Sequence, residues 1–204
     1  MIKIDYKKDM RNLYSGKVGE VVTVEVPEMN YLMIDGHGDP NTSKEFADAL
    51  QTLYPLAYTI KFDCKKNLDN DFAVMPLEGL WWADDMNDFL YAKKDNWSWT
   101  VMIAQPDFVT KDIVSRSIEA VTKKKSPPLI DKVRFESYAE GRSAQVMYVG
   151  AYSDEGPTIA KMHEYIKSSG GKLDGKSKYH HEIYLSDQRR TDPSKLKTII
   201  RQPY

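Results

Sequence analysis

The chain has a single cysteine, Cys64, among 204 residues. That excludes an internal disulfide framework and suits a reducing compartment. Neither sign of charge dominates: 29 basic against 30 acidic residues leave a net charge of -1. Such a balance exerts no general pull on nucleic acid or an anionic membrane surface. No run approaches the roughly 18 to 20 apolar residues that span a bilayer. The opening "MIKIDYKKDMRNLYSGK" is charged throughout and lacks the apolar stretch of a signal peptide. A soluble cytoplasmic protein is expected, with no membrane contact and no direct nucleic-acid contact. Histidine is also scarce, with only His37, His163, His180 and His181. Neighbours in a strand face opposite ways, so His180 and His181 cannot chelate one ion together. No HExxH or CxxC pattern appears. No metal site and no cofactor is expected.

What the chain does have is apolar and aromatic side chains. Hydrophobic residues make up 41%, enough for a sizeable core. There are 13 Tyr, 6 Phe and 4 Trp, and all four tryptophans fall within residues 81–99. Rigid planar surface at that density suits a flat aromatic ligand held between rings, although hairpin core and rim use the same residues.

Two β segments are predicted at Glu20–Val26 and Tyr31–Asp35, ending in the turn-rich "GHGDPN". Ser43 is placed to cap a helix whose stripe is Phe46, Ala49, Leu50, Leu53, Leu56, Ala57 and Ile60. Pro55 should kink or split it. "FAVMPLEGLWW" (72–82) and "WSWTVMIAQP" (97–106) read as strands and hairpin partners, joined by an exposed connection over 83–96. "DIVSRSIEAVTKKK" reads as a helix ending at Ser126-Pro127-Pro128, with Lys123, Lys124 and Lys125 in its last turn. The second half repeats the order, with strands in "VRFESYAEG" and "QVMYVG", a helix in "PTIAKMHEYIKSS" and a strand in "HHEIYLS". "DPSKLKTIIRQ" reads as a short C-terminal helix.

The halves therefore align as pattern, with Gly36 on Gly150 and Glu78 on Glu182. One domain spans 1–204: a first repeat at 18–106, a connecting helix and Pro linker at 107–128, a second repeat at 129–190 and the C-terminal helix at 191–204. Each unit would be strand, helix, strand, with a further strand completing an antiparallel sheet and a groove on the pseudo-two-fold axis. Alternation puts His180, Glu182 and Tyr184 on one strand face, and Pro76, Glu78, Leu80 and Trp82 on one face of the other. If the halves are so related, Glu78 and Glu182 converge on one groove, approached by Trp82, His180 and Tyr184. Burial beside aromatic surface would raise a carboxyl's pKa and make it an acid or base. An exposed strand carboxylate paired with Lys or Arg is the alternative. Tyr58 and Tyr152 could complete the walls, or be half-buried tyrosines of no special role.

"EVPEMNYLMIDGHGDPN", "MPLEGLWW", "WTVMIAQPDFVT", "VRFESYAEG" and "HHEIYLSDQRR" resemble the GyrI-like small-molecule-binding family. Within it the resemblance is to a stand-alone branch that includes cyclopropanoid cyclopropyl hydrolases, and it covers the chain from about residue 5 onward. It implies an α+β fold of tandem duplicated β-α-β-β (SHS2-type) units around a central ligand cleft. It also implies a buried glutamate, here Glu182, that meets planar or cationic ligands. The branch implies an aromatic cage for DNA alkylators of the yatakemycin and CC-1065 kind, for which Tyr58, Trp82, Trp99, Tyr152 and Glu78 are the candidates here. One departure is Gln188, where proline is expected in "SDPRR". The expected reaction is hydrolysis of the strained cyclopropane, with Glu78 and Glu182 as an acid/base pair in either order. Three rivals stand beside it: a non-catalytic binder of the same ligands, a gyrase-interacting protein and, last, a transcription regulator.

Overall fold

The computed structural model describes residues 3–85, 93–173 and 177–204. A short strand β1 (Lys3–Ile4) leads into two single-turn helices, α1 (Tyr6–Asp9) and α2 (Arg11–Tyr14). There follow β2 (Val21–His37), α3 (Lys44–Asn67), β3 (Asp71–Phe72), β4 (Glu78–Trp82) and β5 (Ser98–Gln105). The remaining elements are α4 (Lys111–Lys125), β6 (Arg134–Val149), α5 (Gly156–Ser168), β7 (His180–Tyr184) and β8 (Lys197–Pro203). This is a mixed α+β fold. Six antiparallel strands close into a barrel in the order β2-β5-β4-β7-β8-β6, while β1 and β3 form a separate parallel pair.

Several expectations change in this frame. The two predicted N-terminal strands are one, because β2 runs on through Pro27 and pairs with β6 on either side of it. The predicted strand over 72–82 is broken, and only Asp71–Phe72 and Glu78–Trp82 pair, with Pro76 between them. Proline has no N–H for a ladder, so a strand cannot run through that position unbroken. In the helix Pro55 costs less than expected, since α3 continues from Lys44 to Asn67, capped by Ser43 on the Phe46 N–H. Part of the predicted exposed connection falls on 86–92, outside the described residues.

The predicted C-terminal helix is overturned. Pro193–Lys195 is a single 3-10 turn, and Lys197–Pro203 is a strand paired on both sides, to β6 and to β7. Thr198, Ile199 and Ile200 are fully buried. A strand buried on both faces loses the alternation that would announce it and reads as a short apolar run, easily taken for a helix turn.

Two helices cover the barrel's outside. α3 places Leu53, Leu56 and Ile60 in the larger core with Leu32, Ile34 and Trp99, and α5 places Met162 and Ile166 against Ala144, Val146 and Ile200. Gly36 permits the first packing, because a Cβ there would fall 2.1 Å from the Trp99 ring.

The barrel's interior is partly polar. His181 Nε2 lies 3.0 Å from Glu78 Oε2, and its Nδ1 lies 3.0 Å from Glu140 Oε1. Arg201 donates to Glu140 (3.0 Å), to Gln145 (2.8 Å) and to the Leu13 carbonyl (2.8 Å), while Tyr14 donates to Glu78 (3.2 Å). Two acidic and two basic side chains thus satisfy one another out of water, the condition on which buried charge is tolerated. Burial opposes ionisation of Glu140, but His181 and Arg201 override it and hold the carboxyl down at about 2. Burial likewise opposes charge on His181, and Glu140 followed by Glu78 raises it to about 9.

Arg201→Met is expected to cost about 3–5 kcal/mol in urea unfolding, because it strands Glu140 beside one remaining partner. Glu140's contribution is complete above its ordinary 4.5 and is lost as pH falls toward about 2. That of His181 is complete below 6.5 and is lost as pH rises toward about 9. Measured stability should therefore be greatest between about pH 4.5 and 6.5 and decline on either side.

Candidate functional site

The outer face of β4 and β7 is left between the two covering helices, and there a cleft of about 1680 Å³ opens. Its floor carries Trp81, His180, Glu182 and Tyr184. One wall is α3, with Phe46, Leu50, Tyr54 and Tyr58. The other is the start of α5 with the turn before it, including Tyr152, Glu155, Ile159 and His163. Sites for drug-sized molecules are commonly about 300–1,000 Å³, so this one has room for a large or extended molecule.

Rings meet one another along the cleft. Trp82 and Tyr179 lie 4.6 Å apart between centroids, Tyr152 meets Tyr184 edge-on at 5.7 Å, and Phe46 stacks on Trp81 at 5.9 Å. Trp81 Nε1 donates to the Tyr184 hydroxyl at 3.2 Å. Gly79 keeps that contact open, since a Cβ there would lie 2.8 Å from Trp81 Nε1 and 3.2 Å from the Tyr184 hydroxyl.

The carboxylate on the cleft floor is Glu182, whose side chain is 15% exposed. Burial disfavours its ionised form, but the hydrogen bond from His180 (3.1 Å) and one from Tyr184 prevail and lower its pKa. The same charge acts outward. Burial and then Glu182 push Tyr152 up to about 12, and the same two causes raise Tyr184 well above the usual phenol. Glu155 is pushed up to about 10, first by burial and then by Glu182, which lies against it.

The cleft thus brings together Tyr58, Trp82, Tyr152, His180, Glu182 and Tyr184. It does not include Trp99 or Glu78. Trp99 is fully buried under α3, edge-on to Phe46 at 5.1 Å. Glu78 is inside the barrel with His181 and Tyr14. The error lies in register. Glu78 pairs with Ile183, whereas Glu182 pairs with Gly79. The two carboxylates therefore stand on opposite faces of the sheet, since successive side chains in a strand alternate between faces. An acid/base pair of Glu78 and Glu182 across one groove does not exist.

Glu155 was missed. Its only signal is a carboxylate in "SDEGPT" directly before a helix start, which reads as ordinary helix-start polarity. Trp81, on the floor, was passed over for its neighbour Trp82. Among the described residues no group of three or more His, Cys, Asp or Glu is placed to hold a metal ion, and no helix is long and apolar enough to cross a membrane.

With a small-molecule-sized cleft on a barrel of this topology, the chain belongs to the GyrI-like family: the GyrI-like small molecule binding domain matches residues 19–204. Its structure is similar to that of an uncharacterized conserved protein from Listeria innocua, at 41% identity and a TM-score of 0.88, over 98% of both chains. It is similar too to a Listeria innocua hydrolase, at 40% identity and a TM-score of 0.86, over 98% of both. The hydrolase encoded by lin2189 of Listeria innocua gives 41% and 0.87, over 99% of both. No curated protein matches the chain.

Loss of either charge should cost stability. Glu78→Gln weakens a buried hydrogen-bonded network and should lower stability by about 1–3 kcal/mol. Glu182→Gln removes the carboxylate that His180 and Tyr184 hold in its ionised form and should also lower the melting temperature. Thermal melts of both variants check this, and an unchanged or raised melting temperature in either would be the contrary result.

Proposed function

We propose that the chain is a hydrolase that binds planar aromatic xenobiotics in this cleft and opens the cyclopropane ring of cyclopropanoid DNA-alkylating compounds of the yatakemycin and CC-1065 kind. Acting in the cytoplasm, it would remove such compounds before they reach DNA. The observation that carries the reading is an ionised, hydrogen-bonded carboxylate, Glu182, at the floor of an aromatic cleft. The Listeria structures described as hydrolases, at 40–41% identity, support the catalytic half of it.

The chemistry asks little of the protein. In such compounds the cyclopropane is strained and conjugated to a dienone, so it is already electrophilic. Trp81, Trp82, Tyr179 and Tyr58 would hold the planar system by stacking. Glu182 would orient a water against the ring carbon and take its proton as the C–O bond forms. The cyclopropane C–C bond breaks, and its electron pair passes through the dienone to the oxygen, giving a phenolate that takes a proton in turn. Tyr152, kept protonated by burial and by the charge of Glu182, is suited to donate a hydrogen bond to that oxygen.

The same reading takes the two halves as copies of one β-α-β-β (SHS2-type) unit, over 18–106 and 129–190, extended by β8. The order β2-α3-β4-β5 recurs as β6-α5-β7-β8, and each set contributes three neighbouring barrel strands. The cleft would then lie on the axis between β4 and β7.

Capture without turnover is favoured by one observation: the donors that hold Glu182 also lower its basicity. Mass spectrometry of a cyclopropanoid incubated with the protein separates the two. Turnover gives a product heavier by one water, and Glu182→Gln should slow it by about 10²–10⁴-fold. Unchanged compound recovered from the complex would leave a sequestering protein.

A further inference from the structure

Glu155 has no part in the reaction as drawn, yet it is the cleft's most buried acidic side chain, 4% exposed. It directly precedes α5, but its side chain makes no capping hydrogen bond to the helix. Its Oε1 is buried and has no donor. What faces this carboxyl is a second one, that of Glu182.

The groups around the pair are these. His180 and Tyr184 are engaged on Glu182, and Lys94 acts on Glu155 only through its charge. Tyr152 senses both carboxyls. None of them donates a hydrogen bond to Glu155. Two buried carboxyls in contact do not both ionise when nothing cationic lies between them. One proton between the two satisfies both: Glu182 keeps its charge and gains a third donor, and Glu155 becomes a neutral acid. The upward push on Glu155 agrees with that assignment.

A neutral carboxylic acid has one O–H and one carbonyl oxygen. With the O–H directed at Glu182, the carbonyl oxygen remains as an acceptor in the cleft wall. We propose that Glu155 is a specificity-determining residue, a neutral acid that donates to Glu182 and accepts a hydrogen bond from an N–H or O–H group on the edge of a planar aromatic ligand. The inference rests on the cleft being the ligand site. It adds that the ligand carries a donor on its rim, and that an analogue capped there leaves a buried acceptor unpaired.

Carbazole and N-methylcarbazole are neutral planar probes that differ in one N–H, and quenching of tryptophan fluorescence at pH 7 reads their binding. The wild-type chain should bind carbazole roughly 2- to 10-fold more tightly, the range of a single hydrogen bond. Glu155→Gln has a donor for Glu182 and an acceptor for the ligand, so it should retain the preference. Glu155→Leu should bind the two alike. Independently of any ligand, the infrared difference between wild type and Glu155→Gln at pH 7 should contain the carbonyl stretch of a protonated carboxylic acid. Absence of that band overturns the inference, and so do equal affinities in the wild type. If neither probe binds while the band is present, the cleft fails as a site for planar aromatics, and the ligand half of the inference fails with it.

Discussion

The pairing register of β4 with β7 decides what this molecule can do. With Gly79 opposite Glu182 and Trp81 opposite His180, one set of alternate side chains floors the cleft. With Glu78 opposite Ile183 and Leu80 opposite His181, the other set enters the barrel. A shift of one residue would exchange them, placing the interior ion network in the cleft and the cleft's tryptophan and tyrosine in the interior. The shift is opposed from both sides. His181 has carboxyls on both ring nitrogens, and the Trp81–Tyr184 hydrogen bond is kept clear by Gly79.

The remaining architecture serves that strand pair. β5 and β8 flank it and bring β2 and β6 round to close the barrel. α3 and α5 cover the flanking strands and leave the central pair open between them, so the cleft is where the helical layer stops. Glu182 lies there largely buried among aromatic rings, and its interactions are stronger than they would be in solvent. His180 bonds to that charge, and Tyr184 and Tyr152 are each raised by it.

Much of this was legible in the chain. Alternation correctly divided "HHEIY" into His180, Glu182 and Tyr184 against His181 and Ile183, and "EGLW" into Glu78 and Leu80 against Gly79 and Trp81, while Trp82 at the strand end borders the cleft as Trp81 does. Hydrophobic periodicity found α3, α4 and α5. The relation between strands was hidden, because alternation gives each strand two faces and does not say which face meets which. The match of Glu78 to Glu182 filled that gap with residue identity, and identity was the wrong guide. Trp99 misled in a similar way: its neighbours Trp81 and Trp97 border the cleft, while Gly36 lets Trp99 sink into the core. The strand at Lys197–Pro203 was obscured by full burial, and Glu155 by lying where acids are commonplace.

Because β7 is a single layer between two enclosed spaces, His181 and Glu182 are consecutive residues that belong to different media. Only one backbone separates the ion network from the cleft, and the His181 charge helps to lower the pKa of Glu182. A charge placed in the cleft would therefore be felt by the inner histidine as well, across a single strand.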